Sequence, residues 1–297
     1  MNIYDRLGLK ELSIDENNYR DKAKTSLSLG MNLEDKAETF LCDKFIDTKN
    51  QNYFKKQFKQ AISGDGNELL KMDAVKSSSL CALLFFYNVG KDKEHQLIIN
   101  GITYTKSFFE YKNKVYRKPS NMDVVLTNDD GDVLFIECKF SEYLKPDRVE
   151  ISSSYFKEES EEIMDSLIKE RILIKHGEKW YSASYKSKPI YATGLKQIVA
   201  HYVGVNHFIA KDYYEKDYGD DRNTIKSIKN PRVRFIEVLF DFGEGLADYK
   251  EASDYLIEEI INKPDVFKPL TTFQEIRKNN KDYKLDENVK KFYKNFN

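Results

Sequence analysis

Residues 122–140 read MDVVLTNDDGDVLFIECKF, and this stretch decides the architecture. Two β-type runs flank the segment Asn128-Asp129-Asp130-Gly131-Asp132, a strong hairpin turn. The predicted strands are 121–128 and 132–140. The unbroken apolar run Val133 to Ile136 predicts burial on both faces of the second strand. Glu137 and Lys139 lie two apart on that strand and so share a face. Asp123 opens the first strand, as far from the turn as Glu137 and Lys139 are. An antiparallel hairpin therefore brings two carboxylates and one amine together at one end of a sheet.

Hard divalent cations take one or two carboxylates together with water and phosphate oxygens. Asp123 and Glu137 supply the carboxylates, and the Cys138 backbone carbonyl can add a third oxygen; the Cys138 thiol alternates toward the core. Lys139 can orient or deprotonate an attacking water and stabilise charge developing on phosphate. A bound metal lowers the pKa of that water. The pattern predicts a Mg2+ (or Mn2+) centre. Burial of Glu137 and Lys139 in an otherwise apolar strand also demands a partner or a metal.

Working outward, residues 33–46 and 51–63 carry apolar residues at helical spacing. Ser63-Gly64-Asp65-Gly66 is a break. A helix follows over 66–88, either continuous or broken near Ser77-Ser78-Ser79, and its half from Leu80 to Val89 is apolar nearly all round. Alternation predicts a strand over 102–111. Beyond the hairpin, 142–188 reads as a charged, partly helical insertion holding the single tryptophan, Trp180. An amphipathic helix is predicted over 190–204, a strand over 232–242 and further helices to the end. The predicted class is α/β, built on one mixed sheet.

With this order in place, Asp123, then thirteen residues, then Glu137-Cys138-Lys139 resembles the PD-(D/E)XK signature of restriction-endonuclease-like nucleases. Met122 stands where the weakly specified proline would be. The resemblance covers roughly 66–242 and implies an αβββαβ core with a central mixed sheet, extra N- and C-terminal helices and the insertion. It divides the chain into an N-terminal helical region (1–65), a nuclease-like core (66–245) and a C-terminal helical region (246–297). SSSLCALLFFYNV with Phe109-Glu110, Asp123 and Glu137-Cys138-Lys139 is similar to a subgroup of bacterial restriction-endonuclease-like proteins. The resemblance further implies an extra acid in the metal cluster, which Glu110 would supply. It also implies a glutamine on the following helix that positions metal ligands or phosphate, which Gln197 would supply. His201, four residues on, shares the face of Gln197.

The implied activity is Mg2+-dependent hydrolysis of DNA phosphodiesters by an endonuclease, and restriction, phage defence and repair are all compatible roles. Double-stranded DNA, a second copy of the chain and a defence-system protein are the expected partners. Lys112, Lys114, Arg117 and Lys118, beside the expected site, are candidate DNA contacts. Residues 268–297 carry eight Lys/Arg against four acids, net +4, a second candidate phosphate surface. Two other readings stay open: a catalytically silent nucleic-acid-binding or interaction module on the same fold, and a nucleotide phosphoesterase.

Composition narrows the field. The 297 residues carry 48 Lys+Arg and 49 Asp+Glu, a net charge of -1, which argues against a general nucleic-acid coat protein. Hydrophobic residues at 40% can support a core. No run of about 18 apolar residues suggests a transmembrane helix, and the acidic start lacks a secretory h-region. Three unpaired cysteines (Cys42, Cys81, Cys138) fit a reducing cytoplasm. The four histidines lack zinc-hydrolase spacing. A P-loop and a GxSxG elbow are both absent from the sequence.

Overall fold

The computed structural model describes residues 6–14, 28–31, 33–64, 68–115, 119–144, 150–151, 158–177, 179–182, 184–185, 188–189 and 192–296. Four helices lead: α1 (Glu34–Phe45), α2 (Gln51–Ala61), α3 (Glu68–Met72) and α4 (Ser78–Phe86). Then come β1 (Leu97–Ile99), β2 (Ile102–Tyr104), β3 (Lys106–Asn113), β4 (Ser120–Thr127) and β5 (Asp132–Lys139). The insertion supplies β6 (Glu150–Ile151), α5 (Glu158–Lys169), β7 (Leu173–His176), β8 (Lys179–Ser182), β9 (Ser184–Tyr185) and β10 (Lys188–Pro189). The chain closes with α6 (Ala192–Ile209), β11 (Arg232–Leu239), α7 (Leu246–Tyr255), β12 (Thr271–Thr272), α8 (Phe273–Asn279) and α9 (Glu287–Phe292).

The centre is a five-stranded mixed sheet in the order β12-β11-β5-β4-β3. The hairpin forms as expected, with Val125 opposite Phe135 and Thr127 opposite Val133. Gly131 takes φ +87° in its turn, a conformation open to glycine at no steric cost. β11 adds parallel to β5, aligning Glu237 with Glu137. Every residue of β5 is buried, because the strand lies inside the sheet with helices over both faces. This is a mixed α/β architecture around one sheet.

Two cores cover the two faces. On one, Phe54 and Phe58 of α2 and Leu80 to Phe86 of α4 pack with Val124, Leu134, Ile136 and Cys138. That core also takes in residues from Leu7 to Phe296, so the first and last segments of the chain share it. On the other, Leu195, Ile198 and Val199 of α6 pack with Met122, Val125, Phe135 and Phe235. Lying between sheet and outer helices, α4 is buried on all sides, as its all-round apolar sequence required.

Several expectations need correction in detail. Of the two readings of 66–88, the broken helix is the one that forms, because the Ser77 hydroxyl accepts the Leu80 N–H and starts α4 afresh. The strand over 102–111 is also two. Asn100-Gly101 turns β2 back onto β1, and β3 begins at Lys106. The insertion holds an unforeseen antiparallel sheet, β6-β8-β7, with Trp180 in its middle strand. The basic C-terminal segment keeps Lys278, Lys281, Lys284 and Lys291 exposed but anchors two of its charged residues in the fold. Arg277 donates to the carbonyls of Asn280, Tyr283 and Phe296, and buried Asp286 accepts from Tyr87 and Asn50. Among the described residues no helix is long and apolar enough to cross a membrane.

Candidate functional site

The ends of β3, β4 and β5 that lie away from the hairpin turn open into a cavity of about 410 Å3. Asp123, Glu137 and Lys139 line it, as do Glu110 from β3 and Gln197 and His201 from α6. The structure thus brings together the trio and both secondary candidates. A larger cleft, about 790 Å3, lies at the other sheet edge beside Lys268 and Lys278 and gathers no comparable set of acids.

Each side chain has a local cause. The β4–β5 pairing runs as far as Val124 and Ile136. Asp123 is the next residue, and its Oδ2 accepts the Cys138 N–H at 2.7 Å. Cys138 thus enters the site through its N–H, while its thiol lies in the core and is pushed far up by burial. Glu137 and Lys139 point to the α6 face. Lys139 Nζ donates to Glu137 Oε1 at 2.5 Å and to Gln197 Oε1. Gln197 Nε2 donates to the same Glu137 oxygen at 2.7 Å. His201 Nε2 donates to Glu137 Oε2 at 3.0 Å, and its Nδ1 meets Ser120 Oγ at 2.6 Å. The i, i+4 spacing of Gln197 and His201 is what lets one helix grip both oxygens of Glu137.

The carboxylates divide electrostatically. Burial alone would raise Glu137, but Lys139 and His201 pull it down to about 2. Burial would lower Lys139, but Glu137, Glu142 and Glu237 outweigh it and raise the amine. The raised amine favours the ammonium form of Lys139, which donates to Glu137 and Gln197. Asp123 and Glu110 behave oppositely. Burial, then the charge of Glu137, pushes Asp123 well above the usual carboxylate range. Burial, then Asp123 and Glu68, does the same to Glu110.

Some contributors escaped the sequence reading. Glu68, only 3% exposed, lines the cavity and pairs with Lys71 at 2.8 Å. Glu142 lines it from just beyond β5 and accepts the Phe140 N–H at 2.6 Å. Glu237, fully buried, is held by Ser253 at 2.8 Å and Tyr249 at 3.2 Å. Its one visible signal was an acid inside an apolar strand. The candidate DNA contacts fare differently. Lys112 is buried within β3, and Lys114 pairs with Asp212 at 2.7 Å. Arg117 and Lys118 lie outside the described residues.

Five acids and two lysines line the cavity, so its field favours cations. Hard carboxylate oxygens, with Asn121 Oδ1 beside them lacking a hydrogen-bond partner among the described residues, suit Mg2+ or Mn2+. Among the described residues no three His, Cys, Asp or Glu groups already close on a single point as a metal shell. No family model matches the chain, and no curated protein or solved structure does.

Proposed function

We propose that this chain is a metal-dependent endonuclease that hydrolyses DNA phosphodiester bonds on a restriction-endonuclease-like core. One observation carries the reading: Asp123, Glu137 and Lys139 from adjoining strand ends face one acidic cavity, with Gln197 reaching in from α6. The order α4, β3, β4, β5, α6, β11 supports it, since it follows the αβββαβ pattern that the motif implies.

A bound Mg2+ would supply positive charge to activate water and to neutralise phosphate. The protein's own groups do the rest. The acids hold the cation, and the Cys138 N–H fixes the orientation of Asp123. Lys139, held between Glu137 and Gln197, presents an ammonium to the scissile phosphate, where it offsets charge developing in in-line attack. Because the cavity is itself acidic, a polyanion would approach only with the cation in place.

The test is cleavage of linear and supercoiled double-stranded DNA with Mg2+ or Mn2+, compared with mononucleotide phosphoesters. Cleavage of DNA that is lost in Asp123→Asn and Lys139→Met is the expected result. Turnover of mononucleotides alone would favour the phosphoesterase. Absence of both activities, with no cation binding, would favour a silent module. Restriction or phage defence is the proposed role, and a second copy of the chain would account for cutting both strands.

A further inference from the structure

Glu137 has a counterpart in the next strand. The β5–β11 register sets Glu237 beside Glu137, on the face that carries Lys139. Each glutamate is gripped at both oxygens by an i, i+4 pair from one helix. α6 supplies Gln197 and His201 to Glu137. α7 supplies Tyr249, 3.2 Å from Glu237 Oε1, and Ser253, 2.8 Å from Glu237 Oε2.

The two acids differ in access and in charge. Glu137 lines the cavity and accepts from Lys139 Nζ. Glu237 is fully buried outside the cavity lining, and among the described residues it accepts from hydroxyl groups alone. A carboxylate sealed among neutral donors is costly and calls for an opposite charge nearby. Lys139 is that charge: it lies on the adjacent strand, two residues along from the Glu137–Glu237 pair, as the diagonal neighbour of Glu237 on the same face. Burial raises the Glu237 carboxyl, and Lys139, then Ser253, act against that rise. Burial likewise opposes the Lys139 ammonium, and the charges of Glu137, Glu142 and Glu237 outweigh it.

The surroundings hold Glu237 in place. A Cβ at Gly194 of α6 would lie 2.7 Å from Tyr249 Oη, so glycine lets α7 bring that hydroxyl against the helix that carries Gln197. Tyr249 also packs on Tyr143, with 5.8 Å between ring centroids, and Tyr143 follows the cavity-lining Glu142. Tyr143 is fixed in turn, donating to the Phe240 carbonyl at 2.7 Å and accepting the Phe242 N–H at 3.1 Å. β11, α6, α7 and the segment after β5 thus meet around one tyrosine.

Building on the nuclease reading, we infer that Glu237 is a positioning residue for Lys139, a permanent counter-charge that holds the ammonium in place when Glu137 is drawn to the cation. Access divides the two roles, since Glu137 faces the cavity and Glu237 is sealed from it. Without Glu237, Lys139 would share its one directly bonded carboxylate just as it faces phosphate. Tyr249 and Ser253 keep the carboxylate of Glu237 aimed and hydrogen-bonded.

The experiment is steady-state cleavage of duplex DNA with Mg2+ by wild type, Glu237→Gln, Glu237→Asp and Tyr249→Phe. Glu237→Gln keeps the shape and loses the charge, and should lower kcat about tenfold or more with KM within about twofold. Glu237→Asp keeps the charge at a shorter reach and should retain more kcat than Glu237→Gln. A purely structural role would rank them the other way, because aspartate leaves a void and glutamine does not. Tyr249→Phe should lower kcat about threefold. A second readout needs no activity: in nuclear magnetic resonance of the cation-free protein, the Lys139 Cε signal, identified by its loss in Lys139→Met, should move in Glu237→Gln. If both Glu237 variants fail to fold, Tyr249→Phe decides by the same two readouts. Unchanged kcat in Glu237→Gln, an unmoved signal, or aspartate ranking below glutamine overturns the inference and leaves the nuclease reading standing. Wild-type protein that cuts no DNA overturns the nuclease reading, and the Lys139 signal then decides the pairing with Glu237 alone.

Discussion

One hairpin carries an aspartate at each end, Asp132 buried and Asp123 half-buried, and the two have opposite surroundings. At the turn, Asp132 accepts from Arg232 at 2.8 Å and 2.9 Å, from Arg234 at 2.8 Å and from Asn128 at 2.9 Å. Those donors, Arg232 first, hold its carboxyl well below the usual range. At the open end, Asp123 has one backbone donor among the described residues, lies where the β3–β4 register is interrupted beside Glu110, and is pushed up. The Asp132 end is a finished ion cluster that closes the β5–β11 pair. The Asp123 end is left short of positive charge, as a site awaiting a cation would be. Residue type and hairpin are the same, and it is the neighbours that set the two carboxylates apart.

The comparison breaks most visibly in catalysis. Asp123→Asn should lower DNA cleavage by about 10^3-fold or more, equal to about 4 kcal/mol in the barrier, as read by single-turnover kinetics. Asp132→Asn should leave cleavage within a few-fold. Lys139→Met should cost about 10^2-fold or more in cleavage while Mn2+ affinity changes far less.

Stability should run the other way. Asp132→Asn removes the partner of two arginines that are themselves partly exposed, and should destabilise by about 1–2 kcal/mol in urea unfolding. Glu110→Gln should stabilise the cation-free protein by about 1 kcal/mol, since it removes an unpaired buried charge.

The pH dependence sharpens the contrast. Asp132 is depressed in the folded state. Its contribution is present above the unfolded value of about 4 and is lost as pH falls through the folded value. Glu110 and Asp123 are raised. The folded protein then binds more protons than the unfolded chain above about pH 4, so their contribution to stability declines as pH rises. In chelator, melting temperature should fall with pH above that point, and Glu110→Gln should reduce the slope. Added Mg2+ should flatten it further, and an unchanged slope would count against a cation at these acids.

Much of the scaffold was legible because its signals are local. The turn at 128–132, the doubly buried β5 and the convergence of Asp123 with Glu137 and Lys139 follow from period-two alternation and turn chemistry. Gln197 and His201 were paired by helical spacing. What escaped was non-local. Glu68 follows the Ser63-Gly64-Asp65-Gly66 interruption of the helical pattern, and nothing near it in sequence says that its helix lies beside Glu110. Arg222 sits in an unremarkable polar stretch, a 3-10 helix over Asp221–Ser227, 112 residues from the carbonyl of Glu110 that it approaches. Of the basic segment 268–297, the sequence did not show that Arg277 spends its donors on backbone carbonyls of its own segment, while Lys278, Lys281, Lys284 and Lys291 stay exposed.

By itself, then, the sequence determined the hairpin, the face shared by Glu137 and Lys139, and the acid that joins them. Those depend on the geometry of two neighbouring strands. Only the tertiary structure decided which carboxylate is satisfied and which is not. Hydrogen-bond partners and burial come from elements far apart in the chain: α6 closes over Glu137, while Arg222 and Gly64 lie beside Glu110, whose carboxylate has no donor among the described residues. A carboxylate's charge state and its appetite for a cation are set by those neighbours, and residue type alone does not encode them.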